Sequence, residues 1–197
     1  MSTSEFVHLY PTGMSPCTLE KSAYAEAIET WLCTGCGTPK PSIGRIDVQI
    51  QESQPDDVPL TFVNGCGVVI ARRDFVAVLG SERVQADLML GTVRGPSGKA
   101  MSDWVTARGR RRLIVRGSKN VSYRRCGSCG RHVYFAMGVR YLFPAPTVGV
   151  SIHESDLYGL VVTPDVLDGV SLARWPKLGV EKLMVLSRSK DSLGDLL

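Results

Sequence analysis

Apolar residues along this chain fall mainly into short runs of the length of β-strands, and helical spacing appears at only a few places. Residues 6–10 (Phe-Val-His-Leu-Tyr) form an apolar run that ends at Pro11, which predicts a strand. Residues 18–32 carry apolar side chains at helical spacing behind Thr18, a residue type that often caps helices. We therefore expect a helix that leads directly into the first cysteine pair, followed later by a polar surface loop over residues 51–58.

Two further segments, residues 67–93 and 159–186, share the order strand, short helix, strand. Each begins with a glycine and an apolar run, and Pro164 in the second segment suits the first turn of a helix. The likeness is either a degenerate repeat or a coincidence, and the sequence leaves both open. The pattern predicts an α+β fold, with a mixed α/β arrangement as the alternative.

The length of 197 residues permits one sizeable core, so we expect a single compact unit over residues 1–197. Within this unit we expect two lobes, residues 1–117 and 118–190, each with one cysteine pair and one strand–helix–strand segment. The polar residues 191–197 are expected to fray.

Cysteine spacing carries the strongest chemical signal. Residues 33–37 read Cys-Thr-Gly-Cys-Gly and residues 126–130 read Cys-Gly-Ser-Cys-Gly. A Cys-x-x-Cys-Gly turn, here called a knuckle, directs two thiolates at one ion, and tetrahedral zinc takes four. The knuckles lie much farther apart than the roughly 15–20 residues of a zinc ribbon, so the ion would join distant parts of the fold. The predicted ligands of a structural Zn²⁺ are Cys33, Cys36, Cys126 and Cys129.

The expected compartment supports a metal over disulfides. The N-terminus lacks a basic segment followed by an apolar one, and no run of about eighteen apolar residues is present. We therefore expect a cytoplasmic protein without a membrane span, in which paired cysteines favour metal. Cys17 and Cys66 are expected to be ordinary thiols. Whether one chain supplies all four ligands, or two chains exchange knuckles, stays open.

The net charge of +4 comes largely from one arginine cluster. This cluster is either a solvated connection beside a strand or a binding surface for an acidic partner or a phosphate backbone. Nucleic acid is the less favoured partner, because no aromatic residues interleave with the arginines to stack on bases. The candidate binding residues are Arg108, Arg110, Arg111, Arg112 and Arg116.

Catalytic motifs are absent from the sequence. It contains no nucleophile elbow, Walker A loop, dinucleotide fingerprint or His-Glu-x-x-His. A base and two carboxylates occur close together at His153, Glu154 and Asp156, and such groups could serve acid–base chemistry. The simpler interpretation is a polar segment that leads into a strand. A thiol oxidoreductase is the enzymatic alternative, although its cysteine pair should open a helix rather than follow one. We expect a protein that is not an enzyme.

The double Cys-x-x-Cys-Gly pattern resembles the double-CXXCG family of myxobacterial proteins, described as immunity proteins of swarm-inhibition (Sit) toxin systems. An N-terminal strand with Tyr10 and the stretch 155–158 add to the resemblance. It implies a non-catalytic cytosolic protein that neutralises a cognate toxin, encoded nearby, by direct binding, with zinc holding the scaffold. The basic middle departs from the pattern, and a cationic nuclease would call for an acidic inhibitor surface. The resemblance rests on Cys33, Cys36, Gly37, Cys126, Cys129 and Gly130.

Overall fold

A computed structural model describes residues 6–13, 15–116, 123–130, 132–134, 141–143, 149–155 and 158–185. The predicted α+β class is confirmed, since helices and mixed sheets both occur. The helices are α1 (Lys21–Thr30), α2 (Arg73–Val78), α3 (Ser81–Asp87), α4 (Pro164–Leu167) and a 3-10 turn (Leu172–Arg174). The strands are β1 (Phe6–Pro11), β2 (Val48–Gln49), β3 (Leu60–Phe62), β4 (Val69–Arg72), β5 (Leu88–Arg94), β6 (Ala100–Gly109), β7 (Arg112–Arg116), β8 (Tyr123–Arg125), β9 (His132–Tyr134), β10 (Tyr141–Phe143), β11 (Ile152–Ser155), β12 (Leu160–Val162) and β13 (Leu178–Val185).

A five-stranded sheet in the order β2-β5-β6-β4-β3 forms one layer of the described structure. Its neighbours are antiparallel except for the parallel pair β2–β5. Alternate residues of β4 face opposite sides, because side chains along a strand alternate. Val69 and Ala71 join a core shared with α2 and α3, whereas Ile70 joins a second core beneath α1. The sheet is therefore covered on both faces.

Six strands close into a small barrel in the order β1-β12-β11-β7-β10-β13. Phe6, Val161 and Leu183 form an apolar cluster with Leu113 inside this barrel. The alternate residues of β1, such as Leu9, point outward into the core shared with the five-stranded sheet. Tyr158 also joins the two layers, since its ring stacks on that of Phe62 at a centroid distance of 4.3 Å.

Both predicted strand–helix–strand segments are present, and they share an arrangement. In the first, β4 and β5 both run antiparallel to β6, which lies between them. In the second, β12 and β13 both run antiparallel to β1 in the same way. Each helical connection therefore links two parallel strands across a third. The barrel draws β1 and β7 from the predicted first lobe, so the boundary at residue 117 does not coincide with a boundary between sheets.

Helix α1 is shorter than predicted. It begins at Lys21, capped by the Glu20 carboxylate, rather than at Thr18. The reason is that Leu19 pairs with Ile50 as an isolated antiparallel bridge, which holds the preceding residues extended. The backbone N–H of Thr18 instead donates to the Glu52 carboxylate, at 2.9 Å.

The loop predicted over residues 51–58 is confirmed, because no helix or strand occurs there. The predicted frayed tail, residues 191–197, lies outside the described residues, as do residues 156 and 157 of the stretch used for the family resemblance.

Candidate metal centre and the neighbouring arginines

The four knuckle cysteines of one chain meet at a single point. Their sulfur atoms all lie within 4.8 Å of one another. The Sγ atoms of Cys33 and Cys126 are 3.7 Å apart, and those of Cys36 and Cys129 are also 3.7 Å apart. Four thiolates converging in this way can hold one metal ion.

Each knuckle is a hairpin turn closed by its final glycine. The N–H of Gly37 donates to the carbonyl of Cys33, and the N–H of Gly130 donates to that of Cys126, both at 2.8 Å. Both glycines have positive φ, at 69° and 68°, which costs an L-residue steric strain. The glycine that follows each cysteine pair is therefore required by the turn itself.

The knuckles face each other through Gly35. A methyl group at this position would lie 2.6 Å from the Ser128 hydroxyl and 2.8 Å from the Cys126 sulfur. Only a residue without a side chain lets the two turns approach closely enough for their sulfurs to meet.

The Cys126 thiol is poised to ionise. Its pKa is lowered to about 6, first because the backbone N–H of Cys129 donates to its sulfur and then because that of Ser128 does. A thiolate is the form that binds metal. In contrast, burial raises the pKa of Cys17 to about 12 and that of Cys66 to about 11, so these two thiols stay protonated.

The centre joins parts of the chain that belong to different layers. The first knuckle follows α1 in the chain. Leu32, which lies between α1 and this knuckle, packs in the core beneath the five-stranded sheet. The second knuckle connects β8 to β9 in a two-stranded ribbon, which follows barrel strand β7 in the chain. A metal ion here would act as a cross-link between these parts.

The predicted arginine cluster divides into buried and exposed members. Arg108 is only 7% exposed and lies 3.1 Å from a Glu154 carboxylate oxygen. It also donates to the carbonyls of Ile43, Gly44 and Lys40. Arg108 is therefore part of the packing between β6, β11 and the loop near residue 43, and is not available at the surface.

The remaining arginines differ in exposure. Arg110 and Arg111 are exposed in the connection between β6 and β7, and Arg112 is half-buried, 3.7 Å from Glu154. Arg116 lies in β7, paired in register with Tyr141, and its side chain is outside the described part of the chain.

The acid–base string at residues 153–156 does not form a site within the described residues. His153 lies in β11 and is fully buried towards the barrel interior, where burial lowers its pKa. Glu154 points to the opposite side and pairs with Arg108. His8 is also fully buried, and both histidines lie opposite Val161 in the sheet register.

Sequence reasoning missed a third turn that is closed by a glycine in the same way as the knuckles, residues 63–67 (Val-Asn-Gly-Cys-Gly), here called the valine turn. Gly67 has a φ of 71°, and its N–H donates to the Val63 carbonyl at 2.9 Å. The signal was the Gly-Cys-Gly of residues 65–67, which repeats residues 35–37. In the valine turn, Val63 stands where each knuckle has its first cysteine. The valine turn lies close to the first knuckle, because a methyl group added at Gly37 would lie 3.2 Å from the Gly65 carbonyl oxygen.

One cavity lies beside the metal centre, and a second cavity adjoins it. One, of about 320 Å³, is lined by Cys129, Gly130 and Arg108 among others. The other, of about 600 Å³, extends from there towards α2 and α3. The two cavities adjoin at Met89 and Arg110, which line both of them.

Comparisons with known proteins return no match, either to a protein-family model or to a curated protein. No helix in the described part of the chain is both long enough and apolar enough to pass through a membrane.

Proposed function

We propose that this protein is a non-catalytic, zinc-stabilised immunity protein that neutralises a cognate bacterial toxin in the cytoplasm by binding it. The observation that carries the proposal is the convergence of two Cys-x-x-Cys-Gly turns on one point. This double motif is also the feature that resembles the immunity-protein family.

Zinc is the ion that the donor set favours. Four thiolates at a Zn–S distance of about 2.3 Å in a tetrahedron have sulfurs about 3.8 Å apart. The two 3.7 Å separations between the knuckles agree with that value. All four positions around the ion would be filled by protein, as in structural rather than catalytic zinc sites.

Metal content tests the first half of the proposal. Protein purified without added zinc should contain about one zinc per chain by elemental analysis, and Cys33→Ser should lose it. A redox protein would instead yield metal-free thiols that oxidise and reduce reversibly. That result would replace the zinc proposal with the oxidoreductase alternative.

Protection from the toxin tests the second half. The protein encoded by the neighbouring gene should arrest growth when expressed alone, and co-expression of this chain should restore growth. The purified pair should form a complex. A neighbouring product that neither binds this chain nor becomes harmless in its presence would refute toxin neutralisation.

The alternative functions receive less support. A dithiol oxidoreductase needs one accessible pair, whereas here four sulfurs lie together. A nucleic-acid-binding protein would use the arginine cluster, but Arg108 is occupied by Glu154 and by backbone carbonyls. Retention on nucleic acid at low salt, lost at physiological salt, would favour that alternative.

A further inference from the structure

Two adjoining cavities near the metal centre bring together arginines that are distant in the sequence. We call these two cavities, which share Met89 and Arg110, the arginine groove. Arg73 from α2 lines the part near the helices, and Arg110 lies where the two cavities meet. The groove reaches the second knuckle at Cys129.

Charge in the groove is strongly one-sided. The described residues that line it include five arginines and a single carboxylate, that of Glu154. Glu154 is already shared by Arg108 and Arg112, and Arg45 is paired with Asp47 at 2.9 Å.

Two guanidinium groups of the groove remain available to a partner. Among the described residues, no carboxylate pairs with Arg73 or Arg110, and both are exposed. Arg73 is nevertheless held in place, because its Nε donates to the Ser102 carbonyl at 2.6 Å. An acidic group entering the groove would therefore meet a positioned cation.

The floor of the groove is apolar. Leu88 and Val105 are buried, Leu90 is half-buried, and all three line the larger cavity. A small inorganic anion would leave this floor uncovered. A peptide segment would pair its carboxylates with the rim and bury an apolar side chain on the floor.

We propose that the arginine groove is the docking surface for an acidic segment of a partner protein, in which carboxylates flank an apolar side chain. The identity of that partner as the toxin rests on the proposed function. An acidic surface on the toxin also agrees with the basic character of this chain, since complementary charge sets specificity and speeds association.

Nucleic acid fits the groove less well than an acidic peptide. None of the described residues that line it is aromatic, so bases would find no stacking platform. The apolar floor would also have no counterpart in a phosphate backbone.

Charge reversal with matched controls tests the proposal. The variants are Arg110→Glu and Arg73→Glu. The control for the first is Arg111→Glu, an exposed neighbour of equal charge that lines neither cavity. The control for the second is Lys99→Glu, which is also exposed and outside the groove. Metal content and melting temperature establish that each variant is folded.

The first probe is a short synthetic peptide in which glutamates flank two leucines, compared with its glutamine counterpart and with a single-stranded oligonucleotide. The acidic peptide should bind, and Arg110→Glu and Arg73→Glu should each weaken it about tenfold or more. The two controls should change binding less than about twofold. Failure of the peptide to bind, or equal effects of Arg110→Glu and Arg111→Glu, would overturn the proposal. Oligonucleotide binding that depends on Arg110, without peptide binding, would overturn it in favour of nucleic acid.

The second probe is the purified toxin, which tests the proposed docking surface and the proposed toxin neutralisation separately. Binding that both groove variants weaken supports the groove and the function together. Toxin binding that neither variant affects would overturn the groove and leave the function standing. Peptide binding that depends on Arg110, with no toxin binding, would leave the groove standing and refute the function.

Discussion

The valine turn and the two knuckles are closed by glycine in the same way but differ in side-chain chemistry. They also differ at the middle residue, since Gly65 has a φ of 78° whereas Gly35 and Ser128 do not have positive φ. In all three, the closing glycine has a φ between 68° and 71°, and its N–H donates to the carbonyl four residues earlier. Residues 63–67 adopt this geometry with a single thiol, so the turn forms without a pair of metal ligands.

What differs is how each turn is attached to the rest of the protein. Val63 is fully buried and Cys66 is 3% exposed, and both pack in the apolar core beneath the five-stranded sheet. The knuckles instead present their sulfurs to each other across the gap between two parts of the chain. Apolar burial thus anchors one turn locally, whereas a metal ion would link two turns that are 93 positions apart.

The largest expected effect comes from breaking the link between the knuckles. Cys126→Ser should lose the metal and lower the free energy of unfolding by about 3 kcal/mol or more, because the remaining thiolates lose their common ion. Thermal unfolding and elemental analysis measure both effects. Cys66→Ala, in the valine turn, is the control and should cost about 1 kcal/mol with full metal content. A Cys126→Ser protein with unchanged metal content would contradict the comparison.

Removing the apolar anchor of the valine turn should have the next largest effect. Val63→Ala deletes two buried methyl groups and leaves a cavity, so we expect a loss of about 2 kcal/mol in unfolding free energy. Denaturant unfolding measures this loss. Metal content should stay at the wild-type value, and loss of metal in this variant would show that the three turns are not independent.

Crowding the contact between the knuckles should cost about 1–2 kcal/mol. In Gly35→Ala the added methyl group meets Ser128 and Cys126, which must move apart. Gly127→Ala is the matched control, because a methyl group there would have no neighbour within 4 Å. Weaker retention of metal against a chelator in Gly35→Ala alone would support the close approach, whereas equal behaviour of the two variants would argue against it.

The smallest effect concerns reactivity rather than stability. With the metal removed by chelation, Cys126 should react with iodoacetamide at pH 7 at least about a hundredfold faster than Cys66. The reason is that the pKa of Cys126 is about 6, whereas burial raises that of Cys66 to about 11. Labelling of Cys126 should slow as the pH falls through 6, because the thiolate takes up a proton. Peptide mapping by mass spectrometry measures both rates.

Local patterns predicted much of the fold. The first strand, the loop over residues 51–58 and both strand–helix–strand segments occur where the apolar runs indicated. The start of α1 was wrong, because the bridge between Leu19 and Ile50 overrides the capping tendency of Thr18. That bridge joins residues far apart in sequence, so no window of neighbouring residues contains it.

The site was predictable only where its chemistry is local. Both knuckles were visible because spacing and glycine lie within five residues. The burial of Arg108 was not visible, since its partner Glu154 comes from another sheet. Arg73 was missed as a groove residue because only the packing of α2 against β6 brings it into the same cavity as Arg110.

The sequence by itself determined the turns of this protein, because the two cysteines and the glycine with positive φ that form a knuckle lie within five consecutive residues. Tertiary structure decided which turns meet, which histidines enter the barrel and which arginines reach the surface. These outcomes depend on strand order and register, where a shift of one residue reverses the face of every side chain. Contacts between residues as distant as Cys33 and Cys126 form only after that register is set.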